Sequence, residues 1–544
     1  MNEPDLQSDR SVGHRGRSAD LIACAVISVI YVVISAFVGV QGEFPLNDDW
    51  AYAETTRGLM ETGQLERSSW TWVPMIPHAV VGSAFSSLFG FSFESLRLSG
   101  VFMGWLGVLG AYALCRQVGV RVPAACLGAA VVGLNPMHVN LSHSFMMDVP
   151  FATITTWSLV CLCRGLKQRS WAWICLGVVL AEGAVLNRQP GLAIPLALVI
   201  VLVAIGPRSS RHLLAAAMIA GVTVVAHFLL PDLIYGPRDS GRMLGFSYLF
   251  TQAVQSPTVT WNVVTNSLAQ ISYLGLFLAP VVLGVAMSRA ASIWVLTASA
   301  VLAGLSVAAI LALGLEVPLG LNLIYDFGLG PVTLLGAEQM PSVGDGVWWT
   351  LTVLGTLASF VAIGAILTAV WNRRRELGKW SHGILLGLVP VIYLPPLLVR
   401  SPCFDRYLLP LLPPLAALLL MLDRSSRRMW FSGRNLGVAM LVVMGVYGVL
   451  GTRDYLEHHR ARWTLLDELI AGGTDPEDIH GGFEFKCFHT DKNLFPDSWA
   501  AMNGERYVLS LASELEGHRP VKSLSYTRLL PPGNQVITVF EPDK

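Results

Sequence analysis

The chain has 544 residues, of which 53% are hydrophobic and only 14% are charged. A soluble globular protein usually carries about 25% charged residues. The 37 basic and 37 acidic side chains balance, so the net charge indicates no class of partner. Together with a mean hydropathy of +0.55, this composition excludes an ordinary soluble protein and predicts an integral membrane protein.

Apolar stretches recur along most of the chain and predict an α-helical polytopic membrane protein. About thirteen of them approach the roughly 20 residues that cross a bilayer. They lie at about 20–40, 95–115, 122–138, 148–163, 171–187, 190–206, 212–230, 266–288, 291–314, 348–370, 381–399, 404–422 and 435–451. The polar segment 1–19 precedes the first of them, which is too long for a signal peptide and is predicted to be a retained span.

The distribution of Lys and Arg predicts the orientation of these spans. If segment 1–19 is cytoplasmic, every second loop is short and basic, as the positive-inside rule requires. The loops on the opposite, exoplasmic side are the long ones, at about 41–94, 231–265 and 316–347. The odd number of spans places the C-terminus on that side as well.

The tail after residue 451 differs in character from the apolar region 20–451. It begins with "RDYLEHHRARWTLLDELI", in which the apolar residues have helical spacing. The later segments "RYVLSLASEL" and "NQVITVFEP" are typical of strands. Residues 452–544 are therefore predicted to form a small exoplasmic α/β domain.

The predicted exoplasmic face collects ionisable residues that the spans avoid. They are Asp48, Asp49, His138, His143, Asp148, Arg188, Arg238, Asp239, Arg242, Arg400, Asp405 and Arg406. Such groups are costly at the edge of the hydrocarbon unless they pair or serve a site. A guanidinium binds phosphate oxygens in bidentate fashion, and a nearby carboxylate can act as a general base or hold a divalent cation on the phosphate. The pattern predicts a site for an anionic lipid headgroup.

Each of these residues also has a structural interpretation, which the sequence leaves open. Acidic residues can cap helices, arginines at span ends can extend towards the headgroups, and aromatic residues gather at membrane interfaces. Capping could explain Asp48, Asp49 and Asp148, and Asp49 could instead pair with Arg57. Arg188 and Arg406 could extend towards the headgroups. Trp50, Tyr52, Trp70 and Trp72 could form an aromatic belt. His138 and His143 fit polar loop residues better than ligands.

Several segments, in their order along the chain, resemble the GT-C superfamily of polytopic glycosyltransferases. They are "NDDWAYAETTRGLMETGQL", "FGFSFESLRLSGV", "HSFMMDVPF", "LNRQPGLAIPLAL" and "FDRYLLPLLPPLAALLL". The chain is similar in particular to bacterial relatives of protein O-mannosyltransferases and to the lipid A aminoarabinose transferase. It implies an inverting enzyme of the bacterial plasma membrane, which moves a sugar from a polyprenyl-phosphate donor to a hydroxyl of a lipid, polysaccharide or protein.

The resemblance also implies roles for individual residues. The acid-acid-x-x-Tyr pattern falls on Asp48, Asp49 and Tyr52, which makes Asp48 the catalytic base and Asp49 its support. Asp148 would position the acceptor or, with Asp48, hold a divalent metal ion, the one cofactor left open. Arg406 would contact the donor phosphate. The other expected phosphate-binding residues are Arg188, Arg238 and Arg242, and those expected to line the substrate are Trp50, Tyr52, His143 and Tyr407.

Two other classes of function compete with the enzyme. A transporter or flippase of lipid-linked sugars should carry charges at mid-span and two related halves, whereas Glu182 is one of few such charges and no repeat is evident. A structural protein of envelope assembly would not need carboxylates and arginines clustered on one face.

Overall fold

The structure is a computed structural model, and it describes residues 3–68, 70–71, 73–205, 209–235, 258–286, 292–319, 323–400, 403–422, 427–489 and 504–543. The α-helices in these ranges are α1 (Glu3–Val38), α2 (Asp49–Thr62), α3 (Ile76–Phe89), α4 (Phe93–Gln117), α5 (Val122–Gly133), α6 (Pro136–Ser142), α7 (Asp148–Gln168), α8 (Trp171–Asn187), α9 (Ala193–Ile200), α10 (Ser210–Val224), α11 (Leu230–Tyr235), α12 (Val259–Ala286), α13 (Ile293–Ala312), α14 (Asp345–Asn372), α15 (Ser381–Val399), α16 (Leu412–Leu422), α17 (Arg427–Ala471) and α18 (Phe483–His489). The strands are β1 (Ile324–Tyr325), β2 (Gly328–Leu329), β3 (Ile479–His480), β4 (Tyr507–Ser510), β5 (His518–Leu529) and β6 (Pro532–Pro542).

The predicted α-helical polytopic fold is confirmed, and each predicted apolar stretch coincides with helix. Among the described residues, 10 helices are long and apolar enough to cross a membrane, or 11 if the bent pair α5 and α6 forms one span. The stretches predicted at 171–187 and 190–206 form shorter apolar helices. By length and composition the described residues therefore contain fewer complete crossings than the roughly thirteen predicted.

The bend between α5 and α6 has a local cause at Asn135 and Pro136. Proline disfavours a helical conformation of the residue before it, and Asn135 has extended backbone angles. Its side-chain oxygen accepts a hydrogen bond from the Met137 N–H at 3.0 Å, which starts α6 anew. The two helices meet at 62°. The chain after α6, residues 143–147, then leads directly into α7.

Glycines on one face of α4 let this segment and α7 pack closely against it. A Cβ atom on Gly100 would lie 2.5 Å from the Ser144 backbone oxygen, and one on Gly107 would lie 2.6 Å from the Thr153 hydroxyl oxygen. Small residues permit such close approach of helices in membranes. This close packing therefore fixes the position of Asp148, the first residue of α7, relative to α4.

The small C-terminal sheet predicted for the tail is present, but the last apolar helix does not end where the tail begins. α17 continues without a break from Arg427 to Ala471, so the expected boundary at residue 451 lies inside a helix. The four-stranded sheet has the order β3-β4-β6-β5, with β3 parallel to β4 and the other neighbours antiparallel. β4 and β6 agree with the two predicted strands, whereas β5 was not predicted, because most of β5 is exposed and lacks an apolar alternation.

The loop 316–347 joins the sheet to the membrane region. It contains the β1–β2 hairpin and a short 3-10 turn at Ala337–Gln339, and Leu335 forms an isolated bridge with Ser510. At its other end the backbone N–H groups of Leu323 and Ile324 donate to the Asp405 carboxylate at 3.1 and 3.0 Å. The loop therefore holds the start of the 3-10 helix Asp405–Leu411 in place.

Candidate active site

Asp48 occupies the position before the first turn of α2, yet its side chain does not cap that helix. The structure gives it no side-chain capping hydrogen bond. One carboxylate oxygen, Oδ1, accepts from the Trp70 indole N–H at 3.0 Å. The other, Oδ2, lies 3.5 Å from the Arg406 Nη2. The capping interpretation of Asp48 is therefore wrong, and its carboxylate faces away from its own helix.

Asp49 differs from its neighbour because it is fully buried and bound to backbone. Its Oδ1 accepts from the Leu46 N–H at 2.6 Å and its Oδ2 accepts from the Phe145 N–H at 3.2 Å. Burial raises the pKa of Asp49 to about 7, against the opposing effects of the Arg97 charge and of these two hydrogen bonds. Arg57, its alternative partner, instead lies over the Phe91 ring at 4.5 Å. Asp49 thus joins the first exoplasmic loop to the segment before α7.

Asp148 and Arg188 form a buried ion pair. Asp148 is the first residue of α7, whose N-cap is Met147, so Asp148 is not the cap. Arg188 follows α8 in extended conformation, and its Nη1 donates to the Asp148 Oδ1. The next turn leaves no room for a side chain at Gly191, where a Cβ would lie 2.6 Å from the Ala184 carbonyl carbon. This turn directs Arg188 inward instead of towards the headgroups.

Arg406 is buried, and part of its hydrogen-bonding capacity is unused. Its neighbour Asp405 accepts from the Arg406 backbone N–H at 2.7 Å and from two N–H groups of the loop 316–347, so Asp405 holds the backbone and not the guanidinium. The Arg406 side chain is 7% exposed. Its Nε and Nη1 have no hydrogen-bond partner within the described part of the chain. A buried donor without a partner is costly, which indicates that a ligand completes this group.

Tyr407 brings three guanidinium groups together. The distance from its ring centroid to the guanidinium carbon is 4.9 Å for Arg188, 5.2 Å for Arg400 and 5.8 Å for Arg406. The Tyr393 hydroxyl donates to the Tyr407 carbonyl oxygen at 2.8 Å and holds the backbone. Asp148 and Asp48 oppose these arginines, and the buried Asp405 also interacts electrostatically with Arg406. The feature that suits an anionic ligand is therefore the pair of Arg406 donors without a partner among the described residues.

Of the other residues expected to line the substrate, Tyr52 lies beside this cluster, whereas Trp50 and His143 contact other groups. The pKa of Tyr52 is raised by burial and then by the Asp48 charge, and Tyr52 also interacts electrostatically with Arg406, Asp148 and Arg188. Trp50 is buried 6.0 Å from the Trp70 ring. His143 is buried at the end of α6, where its Nδ1–H donates to the Val139 carbonyl oxygen at 2.7 Å. His138 lies inside α6.

Two kinds of discrepancy with the sequence analysis remain. His138 lies inside α6, so its loop interpretation is wrong, whereas His143 does lie in the loop between α6 and α7 and is buried there. Arg238, Arg242 and Trp72 lie outside the described residues. The contact between Trp70 and Asp48 was not predicted, since no sequence pattern distinguishes this tryptophan from an interfacial one.

The two carboxylates that were expected to hold a metal ion do not form a ligand set. Asp48 faces Trp70 and Arg406, and Asp148 is paired with Arg188. No group of three or more His, Cys, Asp or Glu side chains in the described ranges could hold a metal ion. The residues present therefore do not fit the divalent cation, and we derive no step through one.

Comparisons with known proteins agree with the family resemblance over part of the chain. Residues 74–235 match the model of the dolichyl-phosphate-mannose-protein mannosyltransferase family. This match confirms, for that segment, the predicted resemblance to glycosyltransferases, and it confirms the predicted class of enzyme. No curated protein matches the chain.

Solved structures of three related assemblies are also similar to the chain. ArnT from Cupriavidus metallidurans bound to undecaprenyl phosphate is 14% identical, with 94% of this chain and 97% of that chain covered and a TM-score of 0.43. The Saccharomyces cerevisiae Pmt1–Pmt2 complex bound to the sugar donor is 14% identical, with 43% and 34% covered and a TM-score of 0.31. The Archaeoglobus fulgidus oligosaccharyltransferase tethered with an acceptor peptide is 14% identical, with 75% and 56% covered and a TM-score of 0.32. At these values we base no inference on the likeness.

Proposed function

We propose that the protein is an inverting glycosyltransferase that moves a sugar from a polyprenyl-phosphate donor to a hydroxyl acceptor. The exoplasmic side of a bacterial plasma membrane is the expected location, because the basic loops alternate with the loops that carry the site. The single observation that carries the proposal is the pairing of Asp48 with Arg406, whose buried Nε and Nη1 have no partner among the described residues.

Asp48 and Arg406 provide the two groups that a glycosyl transfer needs, a base for the acceptor hydroxyl and a cation for the leaving phosphate. The acceptor hydroxyl would give its proton to the Asp48 carboxylate while its oxygen attacks the anomeric carbon. The bond from that carbon to the donor phosphate oxygen would break, and the phosphate would leave with the bonding electrons. Attack from the face opposite the phosphate inverts the anomeric centre. The unused donors of Arg406 would stabilise the leaving phosphate, where charge develops.

The surrounding residues would support the same step. Arg188 shares the Tyr407 ring with Arg406 but is already neutralised by Asp148, so its contribution to phosphate binding should be the smaller one. Asp148 would act chiefly by holding Arg188, and the acceptor would be positioned between this pair and Asp48. Arg238 and Arg242 remain expected phosphate contacts, as the sequence predicts.

The transporter alternative gains nothing from the geometry of Glu182. Its Oε1 accepts a hydrogen bond from the Thr223 hydroxyl at 2.6 Å. A polar bond between neighbouring helices is an ordinary means of stabilising a membrane bundle. This bond joins α8 to α10, while the Glu182 Oε2 is buried without a hydrogen-bond partner among the described residues.

The test is turnover by the purified protein in lipid nanodiscs. A panel of polyprenyl-phosphate sugars would be offered with lipid, oligosaccharide and peptide acceptors, and release of polyprenyl phosphate would be measured. We expect at least one donor to be consumed, with inversion at the anomeric carbon of the product. Movement of an intact lipid-linked sugar across a vesicle membrane, without cleavage of any donor, would favour the transporter instead.

A further inference from the structure

Trp70 contacts the carboxylate of Asp48 directly. Its indole N–H donates to the Asp48 Oδ1 at 3.0 Å. Because Asp48 makes no capping bond to its own helix, nothing in α2 fixes the orientation of its side chain. Trp70 and Arg406 each hold one of the two oxygens.

The C-terminal domain holds Trp70 in position. The Trp70 ring packs 5.6 Å from Phe483, the first residue of α18, and 6.0 Å from Trp50. Phe483 and Cys487 of α18 form a buried cluster with Trp50 and Ala51 of α2, against which Trp70 packs. Helix α18, which begins more than ten residues after the end of α17, therefore lies against the loop that carries Asp48.

α18 itself is fixed by a buried ion pair. The Arg462 Nη1 of α17 lies 2.9 Å from the Glu484 Oε2, and both side chains are fully buried. The Thr333 hydroxyl donates to the same Glu484 oxygen. α18 is therefore joined to both α17 and the loop 316–347, which gives Phe483 a rigid support.

We propose that Trp70 is a positioning residue for Asp48, and that Phe483 of the C-terminal domain keeps its indole N–H aimed at the carboxylate. This inference rests on the proposed function, in which Asp48 is the base. Under this proposal the C-terminal domain contributes to the geometry of the site. Removal of the N–H should slow proton transfer without changing how the donor is bound.

The variant Trp70→Phe removes the indole N–H and keeps an aromatic ring. Loss of one hydrogen bond to a charged group changes a rate or affinity by about ten- to a hundred-fold, so we expect kcat to fall by about that factor with the donor KM unchanged. Arg406, Tyr52 and Cys487 also interact with Asp48, and the variant leaves all three in place.

Two further variants separate positioning from general loosening. Phe483→Leu should lower kcat in the same way, and its combination with Trp70→Phe should cost less than the product of the two single effects, since both act on one contact. Trp463→Phe is the matched control. Trp463 of α17 packs on Phe485 and Phe488 of α18, the helix that carries Phe483. Its indole nitrogen has no partner within the described residues, so this variant should retain kcat.

The outcomes distinguish this inference from the proposed function. If the wild type transfers sugar and Trp70→Phe matches it in kcat, the positioning role is wrong while the proposed function stands. An equal loss in Trp463→Phe also contradicts it, because packing alone would then explain the effect. If the folded wild type transfers no sugar from any donor, the proposed function fails first.

Discussion

The adjacent carboxylates Asp48 and Asp49 have different environments, and their positions suit different roles. Asp48 is partly exposed and faces an arginine and an indole N–H, whereas Asp49 is fully buried and accepts two backbone N–H groups. A base must be reached by the acceptor, and only the side chain of Asp48 meets that condition. Asp49 instead ties two segments of the site together.

Replacement of Arg406 should impair use of the donor more than folding. Arg406→Ala removes the guanidinium whose Nε and Nη1 lack partners among the described residues. A charge-assisted contact contributes about 1.5–3 kcal/mol, so we expect the donor KM to rise about ten- to a hundred-fold. Arg406→Lys keeps the charge without the bidentate geometry and should recover part of the loss. An unchanged donor KM in folded Arg406→Ala would remove this residue from the phosphate site.

Asp49 should make stability depend on pH. Its folded pKa of about 7 lies above the ordinary value of about 3.9 for Asp, so the folded chain binds the proton more tightly than the unfolded chain does. The resulting stabilisation is complete below pH 4 and is lost as the pH rises through 7. Asp49→Asn cannot titrate. The difference in Tm between wild type and Asp49→Asn should therefore change between pH 5 and pH 8 in favour of the wild type at pH 5, and a constant difference would contradict this account.

Individual elements show which features a sequence can reveal. The spans were predictable because apolar runs of sufficient length have one outcome in a bilayer. The strand β5 was not, because eight of its residues are polar, charged or proline in "HRPVKSLSYTRL" and its pairing with β6 is set by the neighbouring strand. The contacts of Trp70 and Arg406 with Asp48 join residues 22 and 358 positions apart, which no local pattern encodes.

At the scale of single elements, the attachment of α18 depends on the buried ion pair between Arg462 and Glu484. Removing one partner of such a pair leaves an uncompensated charge, which costs about 3–5 kcal/mol. Glu484→Gln should therefore lower the Tm clearly and also slow sugar transfer, since α18 supports Trp70. Glu468→Gln, which removes an exposed pair with Lys522 in the same region, should have almost no effect. Equal Tm values for the two variants would show that α18 is held by other contacts.

For the whole molecule, the proposed site requires that Asp48 and the C-terminal domain share one side of the membrane. The close packing of Phe483 against Trp70 agrees with the side that the basic loops predict for both. A reporter enzyme that is active only in the cytoplasm, fused after Lys544, should be silent. The same reporter fused within the basic loop near Arg374 should be active, and the reverse pattern would contradict the exoplasmic site.

The most direct measurement is single-turnover sugar transfer by wild type, Asp48→Asn and Asp49→Asn in matched membranes. Asn keeps the size of the side chain and an acceptor for the Trp70 N–H but cannot take a proton. General-base assistance contributes about 10²–10⁴ in rate, so transfer by Asp48→Asn should fall by that factor while donor binding survives, and Asp49→Asn should be milder. Transfer by Asp48→Asn at the wild-type rate would show that Asp48 is not the base.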